Sequence, residues 1–323
     1  MIEQYYKLNS TLGWTYEDEP DGSCEYAATM DASYGETSDD NKTIGDESIG
    51  NPSGRKNHTL NAPIGVFDSG AGGLTVVRQI ERLLPNESVL YFGDTGRVPY
   101  GPRPQSQVRE FSVQIAEFLR TKGAKAIIIA CNTATAAGLE AVQKSFPGPV
   151  IGVIKPGAES AYAQAGACGR IGLIATQGTV TSGVYDEELA SLGYALPLIK
   201  QACPDFVTLV EAGMQDQSAI EDAVKRYMGL FHESQVDVLI LGCTHFPLLA
   251  EDIKKELPGV VLIDPAIQTV MVMKEILKEN GILAAPDIKP AYRFFCSGDP
   301  DSFSKSLDLI LGSNDYPVDH VTL

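Results

Sequence analysis

The strongest constraint on the fold is a pair of short segments that each occur twice in the chain. The segment IGVFDSG, which begins at Ile64, is similar to IGLIATQ, which begins at Ile171. The segment KAIIIACNT, which begins at Lys125, is similar to DVLILGCTH, which begins at Asp237. The first two segments begin 107 residues apart and the second two begin 112 residues apart. Because both order and spacing are repeated, we predict two similar halves.

Each half alternates short apolar runs with longer segments of helical periodicity, and polar or Gly-rich turns follow the runs. This alternation is typical of βα units in a parallel sheet. We predict strands at residues 64–67, 89–92, 126–130, 150–154, 171–175, 236–241 and 260–263. We predict helices at residues 75–84, 105–122, 135–145, 219–231 and 247–257. The expected fold is α/β, with two similar three-layer domains and mainly parallel sheets, and 323 residues suit two domains.

The charge of the chain excludes two classes of partner. The chain has 42 acidic and 25 basic residues, a formal net charge of -17. Such a field repels phosphate backbones and anionic lipid, so we expect neither nucleic-acid nor membrane-surface binding. It does not exclude a small anionic substrate, because local donors bind such ligands.

The cysteines and the apolar runs indicate a cytoplasmic protein. No run reaches the roughly 18 to 20 apolar residues that span a bilayer, and no signal-peptide pattern is present. The six cysteines are widely scattered, and none belongs to a CxxC pair. We therefore expect thiols in a reducing compartment, with neither a disulfide framework nor a metal site.

Residues 1–60 differ in composition from the rest. They contain 12 acidic and 4 basic residues, with runs such as EDEPDGS and GETSDDNKTIGDES. Such a segment buries too little apolar surface to offset the entropy of ordering. We predict an acidic, disordered N-terminal extension.

Two cysteines stand at the ends of predicted strands. Cys131 lies in ACNTAT and Cys243 in LGCTHF, and polar residues follow each of them at once. A cysteine after a strand is usually a small core residue. The same setting in both halves instead favours a chemical role, because ligands of open parallel sheets bind outside the carboxyl ends of the strands.

Two thiols that face each other suit stereoinversion at a carbon next to a carboxylate. One thiolate removes a proton from one face, and the other thiol delivers a proton to the opposite face. Asp68 and His245 are candidates to assist the thiols, because they stand at matching strand ends. The SGAGG turn after Asp68 leads into a helix whose exposed N–H groups can bind a carboxylate.

Five ordered motifs carry a family resemblance: DSGAGG (68–73), YFGDTGRVPYG (91–101), ACNTAT (130–135), CPDFVTLVEAG (203–213) and GCTHFPLL (242–249). They resemble the cofactor-independent aspartate/glutamate racemase superfamily. The Asn-Thr after the first cysteine and the Thr-His-Phe-Pro after the second are similar to its glutamate racemase branch. The similarity covers residues 64–323.

The resemblance implies a set of site residues. Its catalytic set would be Cys131, Cys243, Asp68, His245 and Glu211, although Glu211 by itself would be an ordinary helix-surface charge. Its substrate-binding set would be Asp68, Ser69, Tyr100, Gly101, Asn132, Thr133, Thr176, Thr179, Thr181, Thr244 and His245. For the threonines at 176, 179 and 181, turn or N-cap roles are an equal alternative.

The resemblance also implies the domain organisation and the reaction. Residues 61–156 plus 265–323 would form a first α/β domain, and residues 157–264 an inserted second one. A pseudo-twofold axis would relate them, with the active site in the cleft between. The expected activity is interconversion of L- and D-glutamate without cofactor, metal or nucleotide, for peptidoglycan synthesis, by a cytoplasmic homodimer.

Three alternatives stay open at this point. The substrate could be aspartate, a hydantoin or a malonate derivative. A pyridoxal-dependent racemase would need a Schiff-base lysine, for which Lys155 in VIKPG is the candidate. A ligand-binding relative without catalysis would keep the cleft alone.

Overall fold

The structure is a computed structural model that describes residues 60–313 and 315–323. These residues belong to one compact unit, Arg55–Leu323. The predicted extension at residues 1–60 lies outside the described residues, apart from Leu60. None of the helices in the described part of the chain is both long and apolar enough to cross a membrane.

The first of the two sheets is parallel and has six strands, four from the beginning of the described chain and two from its end. Its strands are β1 (Ile64–Asp68), β2 (Val89–Gly93), β3 (Ala126–Ile129), β4 (Val150–Gly152), β9 (Tyr292–Cys296) and β10 (Val318–His320). Their order is β10-β9-β2-β1-β3-β4, and every neighbouring pair is parallel. The carboxyl ends of β1, β2 and β3 therefore meet at one edge of the sheet.

A second parallel sheet has four strands. They are β5 (Ile171–Ala175), β6 (Ile199–Ala202), β7 (Val238–Gly242) and β8 (Val261–Ile263). Their order is β6-β5-β7-β8, again with all neighbours parallel. The central strands β5 and β7 are the second copies of β1 and β3, so the repeat predicted from the sequence corresponds to two equivalent strand pairs.

Helices connect the strands. They are α1 (Leu74–Leu83), α2 (Gln105–Thr121), α3 (Asn132–Ser145), α4 (Ile154–Ala165), α5 (Gln177–Ser182), α6 (Val184–Ser191), α7 (Pro204–Glu211), α8 (Gln217–Glu233), α9 (Ala250–Glu256), α10 (Pro265–Glu279) and α11 (Pro300–Leu311). A 3-10 helix, Phe246–Leu249, precedes α9.

Apolar cores cover both faces of each sheet, which explains the continuous apolar runs in the sequence. In β1, Ile64 and Val66 face one core cluster of the first sheet, and Phe67 faces the other. In β5, Ile174 and Leu173 likewise face different clusters of the second sheet. The prediction of an α/β fold with mainly parallel sheets is confirmed.

The structure differs from the predicted strands at β4, β6, β9 and β10. The predicted strand at 150–154 ends at Gly152, and α4 begins at Ile154. Strands β6, β9 and β10 were not predicted. All four residues of β6 are only half-buried, and β10 has three residues, so neither has a continuous apolar run.

The connectivity supports the proposed division into 61–156 with 265–323 and 157–264. Strands β5 to β8 form a sheet of their own, and the chain then returns to the first sheet at β9. Helix α10, at the return, buries Val270, Met273 and Leu277 in a core of the first sheet. We keep these boundaries as a proposal.

A buried ion pair ties the amino-terminal edge of the first sheet. Lys125 Nζ lies 2.6 Å from Glu87 Oε2, and both side chains are 1% exposed. The same ammonium donates to the carbonyls of Leu60 and Ile282, while Glu87 Oε1 accepts from the N–H of Ala284. These bonds satisfy both charges in the low-dielectric interior. They also attach the segment between α10 and β9 to the sheet.

We therefore expect Lys125→Met to lower the free energy of unfolding by about 3–5 kcal/mol, because Glu87 would remain buried without a partner. The matched control is Lys144→Met, which breaks the exposed pair of Lys144 with Glu140. It should change stability far less than Lys125→Met, because solvent screens this exposed pair. Urea unfolding of both variants measures the difference, and equal losses would contradict the buried-pair assignment.

Candidate active site

Asp68, the last residue of β1, is a fully buried carboxylate held by the turn that follows it. Its Oδ2 atom accepts from the N–H of Gly70 at 3.3 Å and of Gly73 at 3.0 Å. Its Oδ1 atom is buried and has no protein partner among the described residues. A side chain at Gly73 would place Cβ 2.7 Å from Asp68 Cβ, so this turn needs glycine to fold against the carboxylate.

Cys131 follows the neighbouring strand β3 and is the N-cap of α3. Its Sγ accepts from the N–H of Ala134 at 3.4 Å and lies 3.6 Å from Ser69 Oγ. Burial, together with the charge of Asp68, raises the pKa of the Cys131 thiol to about 12, against the opposing effect of these two contacts. Cys131 is therefore held as a thiol at neutral pH.

Cys243 follows β7 and contacts a histidine. Its Sγ lies 3.6 Å from His245 Nδ1, and His245 Nε2 lies 3.5 Å from Glu211 Oε1 at the end of α7. Burial alone would lower the pKa of His245, but the hydrogen bonds with Cys243 and Glu211 and the charges of Cys243 and Asp68 raise it to about 10. The two thiols therefore have different surroundings: a buried carboxylate lies near Cys131, and a histidine lies beside Cys243.

The turns after β1 and β7 contact each other. Thr244 Oγ1 donates to Asp68 Oδ2 at 3.4 Å, so one carboxylate has donors from both sheets. A Cβ at Gly72 would overlap Thr244 Oγ1 and lie 2.9 Å from His245 Nδ1. The glycine-rich turn thus brings Asp68, Cys131, Cys243 and His245 together, as the sequence analysis expects.

Threonines from the two halves form a hydroxyl cluster. Thr133 Oγ1 lies 2.9 Å from Thr176 Oγ1 and 3.3 Å from Thr179 Oγ1. Thr176 also N-caps α5, so its turn role and its place in the cluster are both observed. Thr181 is exposed and pairs with Gln177, so the structure does not bring it to this cluster.

The loop after β2 carries Tyr100 and Gly101. The Tyr100 side chain is buried and its hydroxyl donates to Asp94, so the ring does not present this hydroxyl to the thiols. Gly101 lies against α5, where a Cβ on Gly101 would be 3.1 Å from Thr176 Cβ. The structure thus places Tyr100 and Gly101 on the loop that lies against Thr176, with the Tyr100 hydroxyl held by Asp94.

Sequence reasoning missed two residues of this region. Asp94 is fully buried and accepts from Tyr100, Arg97 and Ser297, which anchors the loop after β2. Its signal was available, because FGDTG follows β2 as FDSGAG follows β1. Tyr185 donates to Asn132 Oδ1 at 2.8 Å, and no pattern in the sequence indicated this pair.

The site is closed. Cys131 and Cys243 are 6% and 7% exposed, and Asn132 and Thr133 are also buried. A small cavity beside Asn132, Cys243 and Thr244 has room for about one water molecule. Within the described ranges, no group of three or more His, Cys, Asp or Glu side chains could hold a metal ion. Lys155, the candidate Schiff-base lysine of the sequence analysis, is exposed on α4.

Comparison with known proteins identifies the family of this two-cysteine α/β site. The model of the Asp/Glu/hydantoin racemase family matches residues 64–272. The chain therefore belongs to the Asp/Glu/hydantoin racemase family.

Its relatives include proteins named glutamate racemase. One from Pediococcus pentosaceus is 43% identical over 264 residues, which cover 81% of this chain and 99% of that protein. One from Lysinibacillus sphaericus is 40% identical, covering 82% of this chain and 100% of that protein.

Solved structures similar to this chain are also glutamate racemases. A glutamate racemase isoform from Bacillus anthracis is 43% identical, with a TM-score of 0.78 over 82% of this chain and 98% of its own. The glutamate racemase from Francisella tularensis, in complex with D-glutamate, is 36% identical, with a TM-score of 0.76 over 81% and 98%.

The raised pKa of His245 predicts a specific pH dependence. Its pKa is about 10 in the folded protein and about 6.5 when unfolded, so protonation favours the folded state. This contribution is fully present below about pH 6.5 and is lost as pH rises towards 10. NMR titration of His245 should give a midpoint far above 6.5, and Glu211→Gln should lower it. Glu221→Gln, an exposed acid on α8, is the control, and a His245 midpoint near 6.5 in the wild type would contradict the assignment.

Proposed function

We propose that this chain is a glutamate racemase, which interconverts L- and D-glutamate without cofactor by two-base proton transfer and supplies D-glutamate for peptidoglycan synthesis. The observation that carries the proposal is the pair of cysteines at equivalent strand ends, one held as a thiol and the other beside a protonated histidine. Such a pair supplies one acid and one base. The glutamate racemases similar to this chain support the substrate.

The buried donors and acceptors around the thiols match an amino dicarboxylate. Asp68 Oδ1, which is buried and has no partner in the described part of the chain, would accept from the substrate ammonium. Ser69, Asn132 and Thr133 in one half would donate to the carboxylates, and Thr244 in the other half would do so by turning its hydroxyl hydrogen from Asp68 to the substrate. Thr176 and Thr179 would assist through the hydroxyl cluster with Thr133. We do not include Thr181, which lies outside the cluster.

Proton transfer then needs only the two sulfurs. The thiolate forms an S–H bond with the α-proton of glutamate, and the C–H electron pair remains on the α-carbon. The opposite thiol then gives its proton to the other face of that carbon, which forms the new C–H bond and leaves a thiolate behind. Protonated His245, held by Glu211, would stabilise Cys243 whenever it is the thiolate. The two cysteines exchange roles when the reaction runs in reverse.

Entry of the substrate requires the site to open. Glutamate is far larger than the water-sized cavity beside Cys243, and both thiols are buried. Separation of the contacts of Gly72 with Thr244 and of Gly101 with Thr176 would expose the site. Closing over the substrate would exclude water and strengthen the electrostatic interactions of the thiols.

The direct test incubates purified, reduced protein with L-glutamate in heavy water. We expect the circular dichroism signal of the amino acid to decay to zero, with deuterium at the α-carbon and no added cofactor. A panel containing aspartate, hydantoins and malonate derivatives should react far more slowly. A constant signal from folded protein, or preference for another substrate, would contradict the proposal.

Substitution of the thiols tests the mechanism. We expect Cys131→Ala and Cys243→Ala each to lower the racemisation rate at least about 100-fold, because each removes an essential acid–base group. Matched controls are Cys296→Ala in the first sheet and Cys203→Ala in the second, which remove buried cysteines at other strand ends. The controls should retain most of the activity when assayed below their unfolding temperature. A wild-type rate in either Cys131→Ala or Cys243→Ala would exclude the two-thiol mechanism.

We also propose a homodimer in the cytoplasm. Sedimentation analysis would test the dimer, and fractionation of the source cells would test the compartment. Growth of a D-glutamate auxotroph that expresses the chain would test the role in peptidoglycan synthesis.

A further inference from the structure

The residue after each proposed catalytic cysteine is bonded to the opposite half of the site. Thr244, after Cys243, donates to Asp68 at the end of β1. Asn132, after Cys131, accepts a hydrogen bond from Tyr185 on α6. The Tyr185 hydroxyl lies 2.8 Å from Asn132 Oδ1, and Tyr185 is 1% exposed. The first bond involves a proposed catalytic group, whereas Tyr185 has no role in the mechanism above.

Local packing determines where the Tyr185 hydroxyl lies. Gly183, at φ 73°, ends α5 and allows α6 to begin at Val184, one residue before Tyr185. Gly157 of α4 leaves space for the hydroxyl, because a Cβ there would lie 3.3 Å from Tyr185 Oη and 3.0 Å from Pro265 Cγ. The ring packs with Ile154 and Ala158 in a core of the second sheet.

The bond restricts the Asn132 amide to one orientation. The amide is planar, so fixing Oδ1 also fixes the direction of the two Nδ2 hydrogens. Among the described residues, the Asn132 side chain accepts its hydrogen bond through Oδ1, from the Tyr185 hydroxyl. Asn132 also lines the small cavity that Cys243 and Thr244 line. The Asn132 side chain, with Oδ1 held by Tyr185, therefore stands at the wall of the cavity beside Cys243.

We infer that Tyr185 is a positioning residue: its hydroxyl holds the Asn132 amide so that Nδ2 donates to a carboxylate of the substrate. A buried amide whose oxygen lost this donor would be free to rotate, and substrate would have to restore the productive orientation. The inference rests on the proposed function and extends it, because it connects a residue outside the thiol pair to substrate affinity.

The test compares Tyr185→Phe with Tyr194→Phe, each of which loses only the tyrosine hydroxyl. Tyr185→Phe should raise KM for glutamate about 10-fold and change kcat less than about threefold, because the lost interaction is made equally in ground and transition states. Tyr194→Phe is the matched control. Tyr194 is buried in the same core, and its hydroxyl bonds to Ile171 N–H and to the Gly169 carbonyl, away from Asn132. It should lower stability without changing KM.

A double-mutant cycle separates positioning from general loss of structure. In an Asn132→Ala background, Tyr185→Phe should no longer affect KM, because the group it positions is absent. Calorimetric binding of D-glutamate to Cys243→Ala protein, with and without Tyr185→Phe, gives a second readout that needs no turnover.

Each result decides between the two proposals. A KM effect equal in Tyr185→Phe and Tyr194→Phe, or one that persists fully without Asn132, would overturn the positioning role. Binding of D-glutamate by a wild-type protein that does not racemise it would contradict the proposed function, and the calorimetric comparison would still decide the role of Tyr185. Wild-type protein that binds no D-glutamate would overturn both proposals.

Discussion

The site depends on the hydrogen bonds that the buried carboxylate of Asp68 accepts. A buried charge is costly unless several donors satisfy it. Gly70 and Gly73 provide two donors through the turn after β1, and Thr244 provides a third from the second sheet. Because this carboxylate accepts from both halves, it links the turn after β1 to the turn after β7 in the closed site. Among the described residues, its Oδ1 atom has no protein partner.

The repeated scaffold positions two thiols at equivalent places but gives them different surroundings. Near Cys131 there is a carboxylate, and burial with that charge raises the thiol pKa. Near Cys243 there is His245, whose positive charge Glu211 stabilises. Backbone similarity therefore places the two thiols at equivalent strand ends, while the charged groups beside each thiol differ.

Much of the fold and the centre of the site could be predicted from local sequence. The cores of β1, β3, β5 and β7 are continuous apolar runs, and the cysteines follow two of them, so their places at the sheet edge required no tertiary information. Strands β6 and β10 were missed because half-buried or very short strands have no such run. Tyr100 was predicted to bind the substrate from its place in the YFGDTGRVPYG motif, and the structure adds that its hydroxyl donates to buried Asp94. An aromatic residue in a motif does not reveal which way its side chain packs.

The sequence by itself determined the α/β class, the two equivalent halves and the identity of the two thiols, because these depend on apolar periodicity and on motifs within a few residues. Only the tertiary structure decided which groups surround them. Thr244 meets Asp68 across 176 residues of chain, and Tyr185 meets Asn132 across 53. Such contacts arise where two sheets pack together, and no local pattern specifies them. The physical reason is that hydrogen-bond partners and charges act through space, so protonation and orientation are properties of the folded site.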